Sequence, residues 1–165
     1  MTAVDIVARA RAAIGHHTIY ALGRGGRNPA AALPGDAANR CDCSGLAAWA
    51  VGLDRHQPGS PLLAKFNGGW LSTDGLLHDA EHGGGHFTLV EVAEPGDLVA
   101  YGDHLRDGRK RQGHVGVIVE AQGSAWDGIR VVHCSLRNWR VTGDAIQETG
   151  AAVFQSRGRF LRFGP

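Results

Sequence analysis

Along this chain the hydrophobic periodicity changes once, at Gly83-Gly84-Gly85, and that change restricts the fold more than any other feature. Before it, apolar residues recur at helical intervals. Val4, Ile6, Val7, Ala10, Ala13 and Ile14 predict an amphipathic helix over 3–14, stopped by Gly15. Leu46, Ala47, Ala50 and Val51 predict a second helix that begins just after Cys43 and ends at Gly52, and "STDGLLHDAEH" predicts a short third one with its own N-cap. Residues 23–38 and 54–70 carry no period and read as irregular. After the glycines the runs "HFTLVEV", "GDLVAYG", "GHVGVIVEA", "GIRVVHCS", "AAVFQ" and "RFLRF" are short, rich in Val, Ile and Phe, and separated by Gly, Pro and Asp, which predicts strands. Helices first and strands second imply an α+β fold, with the helices packed on a central antiparallel sheet of about five to six strands.

A length of 165 residues fits one domain spanning 1–165, large enough to bury a core without cross-links. The net charge of +1 gives no global attraction to nucleic acid or to a membrane surface. No apolar run approaches the ~18 residues of a membrane span, so no membrane insertion is expected. The start, "MTAVDIVARARAAIGHH", has arginines breaking its apolar positions and does not read as a signal peptide, so synthesis in the cytoplasm is expected. Three cysteines, an odd number, argue against a disulfide framework and for at least one free thiol.

Cys43 sits at the mouth of the second helix. Unpaired backbone N–H groups there favour a thiolate, so a lowered thiol pKa is expected, and the same groups can hold an oxyanion. Gly45 is expected to let a substrate approach. A thiol nucleophile needs a base. His114 opens one strand and His133 lies near the end of the next, so antiparallel pairing could bring both to one sheet edge, His114 as base and His133 fixing its tautomer and orientation. The remaining histidines, His16, His17, His56, His78, His82, His86 and His104, lie in polar or glycine-rich surroundings and read as solvent-facing.

"DCSG" at 42–45, "PGDLVAYG" at 95–102, "GHVGVIVE" at 113–120 and "VVHCS" at 131–135 occur in the order found in NlpC-type bacterial cell-wall cysteine peptidases, which are papain-like. "IYALGRGG", beginning at Ile19, resembles the tyrosine-glycine segment that precedes the nucleophile in that family. The resemblance spans roughly residues 1–135. It implies Cys43 as nucleophile, His114 as general base, His133 as orienting residue, Tyr20 facing the reacting carbonyl, and Asp42 and Ser44 helping to bind the free amine of a peptidoglycan stem peptide. The implied reaction is cleavage of a stem-peptide amide, in the first place γ-D-glutamyl–diamino acid, with no cofactor and no metal. Two features depart from the family's pattern. "AQGSAWDG" lengthens the connection from His114 to His133, and a long basic segment, "HLRDGRKRQ", precedes His114 and is expected to overhang the cleft.

Two other readings compete. An acyltransferase or transglutaminase-like enzyme would use the same scaffold with another nucleophile in place of water. A non-catalytic, zinc-stabilised binding domain would use Cys41, Cys43, His133 and Cys134, although Cys-x-Cys is a poor zinc spacing. Cys41 otherwise reads as a packing residue. As a peptidase the chain is expected to be a monomer that reaches the wall by phage-type release or by a secretion system, with an inhibitor or immunity protein as its conceivable partner.

Overall fold

In the computed structural model, which describes residues 1–122 and 126–164, five α-helices surround a six-stranded antiparallel sheet. Helix α1 (Ala3–Ala12) starts from a capping box in which Thr2 and Asp5 satisfy each other's backbone N–H groups. Two short strands, β1 (Ile19–Tyr20) and β2 (Arg40–Cys41), pair in parallel with Tyr20 opposite Cys41. Helix α2 (Cys43–Ala50) follows at once and is buried along its whole length, as a helix apolar on every side must be. Helices α3 (Pro61–Asn67) and α4 (Thr73–His82) complete the helical half.

The sheet is built from β3 (Phe87–Val90), β4 (Leu98–Tyr101), β7 (His114–Ala121), β8 (Ile129–Cys134), β9 (Ile146–Gly150) and β10 (Arg159–Phe163). Its order is β3-β10-β4-β7-β8-β9. Between β4 and β7 a two-stranded hairpin, β5 (His104–Arg106) and β6 (Arg109–Arg111), projects from the sheet, and α5 (Leu136–Thr142) joins β8 to β9. The α+β architecture expected from the sequence is therefore the one observed.

Alternation along the central strands divides the core in two. Val115, Val117 and Val119 of β7, with Val132 and Cys134 of β8, face α1 and α2 in the main cluster. Ile118, Ile129 and Val131 face the other way, where Phe154 and Ala151 cover them. His114 and His133 share the parity of that second face, which sets the geometry of the site.

Several local expectations needed correction. Residues 54–70 are not all irregular: Ser60 caps α3, Pro61 occupies its first turn, and Gly68 at φ 58° ends it. "AAVFQ" is not a strand. Residues 151–153 form a 3₁₀ turn, and the edge strand is the more polar Ile146–Gly150 just before it. The basic segment before His114 is the β5–β6 hairpin, turned at Asp107 and Gly108, which both take positive φ. Of the long "AQGSAWDG" connection, residues 123–125 lie outside those described, and residues 126–128 form a 3₁₀ turn.

Candidate active site

The first turn of α2 carries the nucleophile candidate, and its neighbours are tied to it through Asp42. Asp42 caps the helix, Oδ1 accepting from the Gly45 N–H at 2.9 Å, while Oδ2 accepts from the Gly23 N–H at 2.6 Å and from Arg55 Nη2 at 2.8 Å. Arg55 also donates to the hydroxyl of Ser44 (2.7 Å) and to the carbonyls of Arg24 (2.8 Å) and Leu71 (3.2 Å). The glycine-rich loop after Tyr20 is thereby pressed onto α2. A Cβ at Gly45 would come 2.5 Å from the Arg24 carbonyl oxygen, so Gly45 is glycine for this backbone contact and not for substrate approach, which corrects the sequence expectation. Asp42 and Ser44 are buried, at 0% and 4% exposure, with Asp42 engaged on both oxygens.

Two pockets meet over this turn. A cavity of about 220 Å³ is lined by Asp42, Cys43, Ser44, Arg55, Trp70 and others. A larger one of about 540 Å³ is lined by His114, His133, Tyr101, Arg137 and Thr149 among others. Tyr20, Gln112 and Gly113 line both and form the divide between them. The cysteine thus opens on one side of the divide and the histidines on the other.

His114 Nε2 lies 2.7 Å from His133 Nδ1, the two rings edge to face. His133 Nε2 lies 2.9 Å from the Thr149 hydroxyl on the neighbouring strand. In the β8–β9 register His133 stands opposite Gln147, so Thr149 is its diagonal neighbour on the same face. Gly116 makes room for the pair, since a Cβ there would come 3.0 Å from His133 Cβ and collide with Val131 Cγ1. Phe154 stacks flat on His114, with centroids 5.2 Å apart and planes 9° apart, and meets His133 edge-on.

The backbone N–H groups of Val115 and Ser44 beside the Cys43 sulfur favour its thiolate. Burial and the Asp42 carboxylate act against them and prevail, pushing the Cys43 thiol up to about 12. The lowered pKa expected from the helix N-terminus is therefore not what the site shows: Cys43 is 6% exposed and rests as the thiol. Burial pushes His114 down to about 3, with His133 adding to the effect, and pushes His133 down to about 4. Tyr20, raised by burial and then by its neighbour Cys43, keeps its phenol proton. At rest the thiol, both imidazoles and the phenol are therefore all neutral, beside the buried Asp42–Arg55 ion pair.

Two results are expected from these shifts. Alkylation of Cys43 by iodoacetamide at pH 7 should be slower than that of an exposed model thiol and should rise with pH well beyond pH 9. Stability should fall on the acid side. A neutral imidazole held below its unfolded pKa of ~6.5 stabilises the fold fully above that pH, and the contribution is lost as pH falls towards the folded values of about 3 and about 4. Each histidine contributes a slope of about 1.4 kcal/mol per pH unit in that window. Denaturant melts at pH 7, 6 and 5 of the wild type and of His133→Gln measure this; equal slopes would contradict it.

Cys41 and Cys134 are buried free thiols, donating to the carbonyls of Asp42 and Cys41. Among the described residues no group of three or more His, Cys, Asp or Glu side chains could hold a metal ion. None of the histidines read as solvent-facing is fully buried. Sequence reasoning missed Arg55, Phe154 and Thr149. Only Arg55 had a signal, a basic residue just after the second helix and its Gly52 stop.

No protein-family model matches this chain, and no curated protein does. Among solved structures, the crystal structure of Ly7917 is similar over 99% of the chain at a TM-score of 0.55 and 16% identity. The structure of Ly7917 with the hydrolyzing product of MDP is similar over the same share at 0.53 and 14%. The chain spans 63% of the length of each. At these identities the likeness is one of fold.

Proposed function

We propose that this chain is a peptidoglycan hydrolase, a cysteine endopeptidase that cuts stem peptides through Cys43, His114 and His133. The observation that carries the reading is the 2.7 Å His114–His133 bond, in the pocket that adjoins that of Cys43 across Tyr20, Gln112 and Gly113, because it uses Nε2 of His114 and leaves Nδ1 free to act as a base. The fold likeness to a protein solved with the hydrolyzing product of MDP supports a cell-wall fragment as substrate. The resemblance of the ordered segments "DCSG", "GHVGVIVE" and "VVHCS" to NlpC-type peptidases supports the γ-D-glutamyl–diamino acid bond, which that resemblance implies.

With a neutral thiol and a neutral imidazole at rest, attack and proton transfer occur together. The Cys43 proton passes to His114 Nδ1 as sulfur bonds the carbonyl carbon, and the carbonyl π pair moves onto oxygen. That oxyanion accepts from the Cys43 backbone N–H, which has no partner among the described residues, and from the Tyr20 hydroxyl, which burial keeps protonated. The imidazolium then protonates the leaving amine and the C–N bond breaks. Because His114 lines the larger cavity, the leaving diamino acid belongs there, and the acyl half belongs in the smaller one over Asp42, Ser44 and Arg55. Water, deprotonated by His114, releases the acid and restores the thiol.

Acid quenching during turnover of a stem peptide, followed by peptide mapping, should find the acyl half attached to Cys43. Turnover with no adduct on that residue at any quench time would remove Cys43 as nucleophile. In the cell, such an enzyme would reach the wall after phage-type release or delivery by a secretion system.

A further inference from the structure

Thr149 is not part of the sequence pattern, yet its hydroxyl ends the line of hydrogen bonds that begins at His114. Direction along that line decides whether the site can work. A neutral imidazole has one N–H and one lone pair, so each bond in the line fixes the next. If His114 Nδ1 carries the proton, the nitrogen left to meet a thiol is already a donor and cannot act as base.

Thr149 Oγ1 lies 3.1 Å from the Gly150 carbonyl oxygen, which can only accept. The hydroxyl proton is spent there. Towards His133 Nε2, at 2.9 Å, the same oxygen must then accept, so His133 carries its proton on Nε2 and its Nδ1 is a lone pair. Nδ1 of His133 faces His114 Nε2 at 2.7 Å, so that nitrogen must donate. What remains on His114 is an unprotonated Nδ1. The reverse order would leave the Gly150 carbonyl without its hydroxyl donor.

We infer that Thr149 is a positioning residue that, through its bond to the Gly150 carbonyl, sets the tautomer of His133 and through it the base tautomer of His114. The inference rests on the peptidase reading for its catalytic meaning, whereas the tautomer assignment stands on geometry alone. During the reaction the line also serves the charged state, since an imidazolium at His114 still donates through Nε2 to His133.

The test uses two variants and a readout that needs no activity. Thr149→Val keeps shape and strand preference but removes the acceptor, and Thr149→Ser restores it. Long-range 1H–15N correlation spectra of histidine-labelled protein at pH 7 report which nitrogen of each ring is protonated. Wild type and Thr149→Ser should show Nε2–H at both His114 and His133, and Thr149→Val should show Nδ1–H appearing at both. With stem peptide, Thr149→Val should lower kcat by about 10²-fold, the lower end of what acid–base catalysis supplies, with KM little changed and with recovery in Thr149→Ser. Nδ1–H at His133 in the wild type, or tautomers unmoved by Thr149→Val, would overturn the inference. Tautomers that move as stated in a protein that cuts no stem peptide would retain the relay and remove the peptidase reading.

Discussion

Cys43→Ala should abolish release of stem-peptide fragments, lowering kcat/KM by on the order of 10⁴-fold or more, and His114→Ala should do nearly the same. The two losses should not add, because the thiol proton and its acceptor act as one unit: the double variant should be no slower than either single one. The reason lies in the resting charges. A thiol pushed up to about 12 is unreactive by itself near neutrality, and an imidazole held at about 3 stays an unprotonated base, so neither achieves attack alone. Cys43 is also a core residue, packed with Leu46 and Ala47 under the sheet, but alanine is a mild truncation there. Thermal melts of the variant within a few degrees of the wild type would separate lost chemistry from lost fold. A Cys43→Ala protein that still released fragments would place the nucleophile elsewhere.

The second large effect concerns stability. Arg55→Met should destabilise the domain by about 3–5 kcal/mol, since it leaves the fully buried Asp42 carboxylate without its cation. Arg55 is 2% exposed, lies over the Trp70 ring at 5.0 Å, and joins the Arg24 loop, the Leu71 carbonyl and the first turn of α2. Arg55→Lys should fall between, because an ammonium keeps the charge but not the fork that reaches four acceptors. Adding Asp42→Asn to Arg55→Met should recover part of the loss, for an amide oxygen can still accept from Gly45 N–H without burying a charge. Chemical denaturation of the three variants measures this. A loss under about 1 kcal/mol for Arg55→Met would mean that the ion pair contributes little beyond its own desolvation.

Much of the architecture was legible because period and punctuation agreed. The second helix followed from apolar spacing and its Gly52 stop, and the strands around His114 and His133 followed from β-branched runs between glycines. What failed had mixed signals. Ile146–Gly150 is a strand only because it pairs with β8 at the sheet edge, and its polar sequence, "IQETG", hides that. The next residues, "AAVFQ", are apolar for another reason: Phe154 closes the far face of the sheet over the two histidines. Helix α3 has only one turn of apolar spacing, Leu62, Leu63 and Phe66, and its ends are marked by Ser60, Pro61 and Gly68.

The site divides in the same way. Cysteine and histidines were visible as residue types in a suggestive order. Their charge states were not, because a helix N-terminus favours a thiolate while burial, a long-range property, opposes it and prevails here. Thr149 and Arg55 matter through partners distant along the chain, Thr149 to His133 on the adjacent strand and Arg55 to Asp42 at the far end of α2. No local pattern encodes such contacts.

Whether Cys43 cuts a peptidoglycan stem peptide is read by mass spectrometry of purified peptidoglycan fragments incubated with the wild type and with Cys43→Ala. New fragments split between γ-D-glutamate and the diamino acid are expected with the wild type alone. Intact fragments with both proteins, or the same products from both, would contradict cleavage by Cys43.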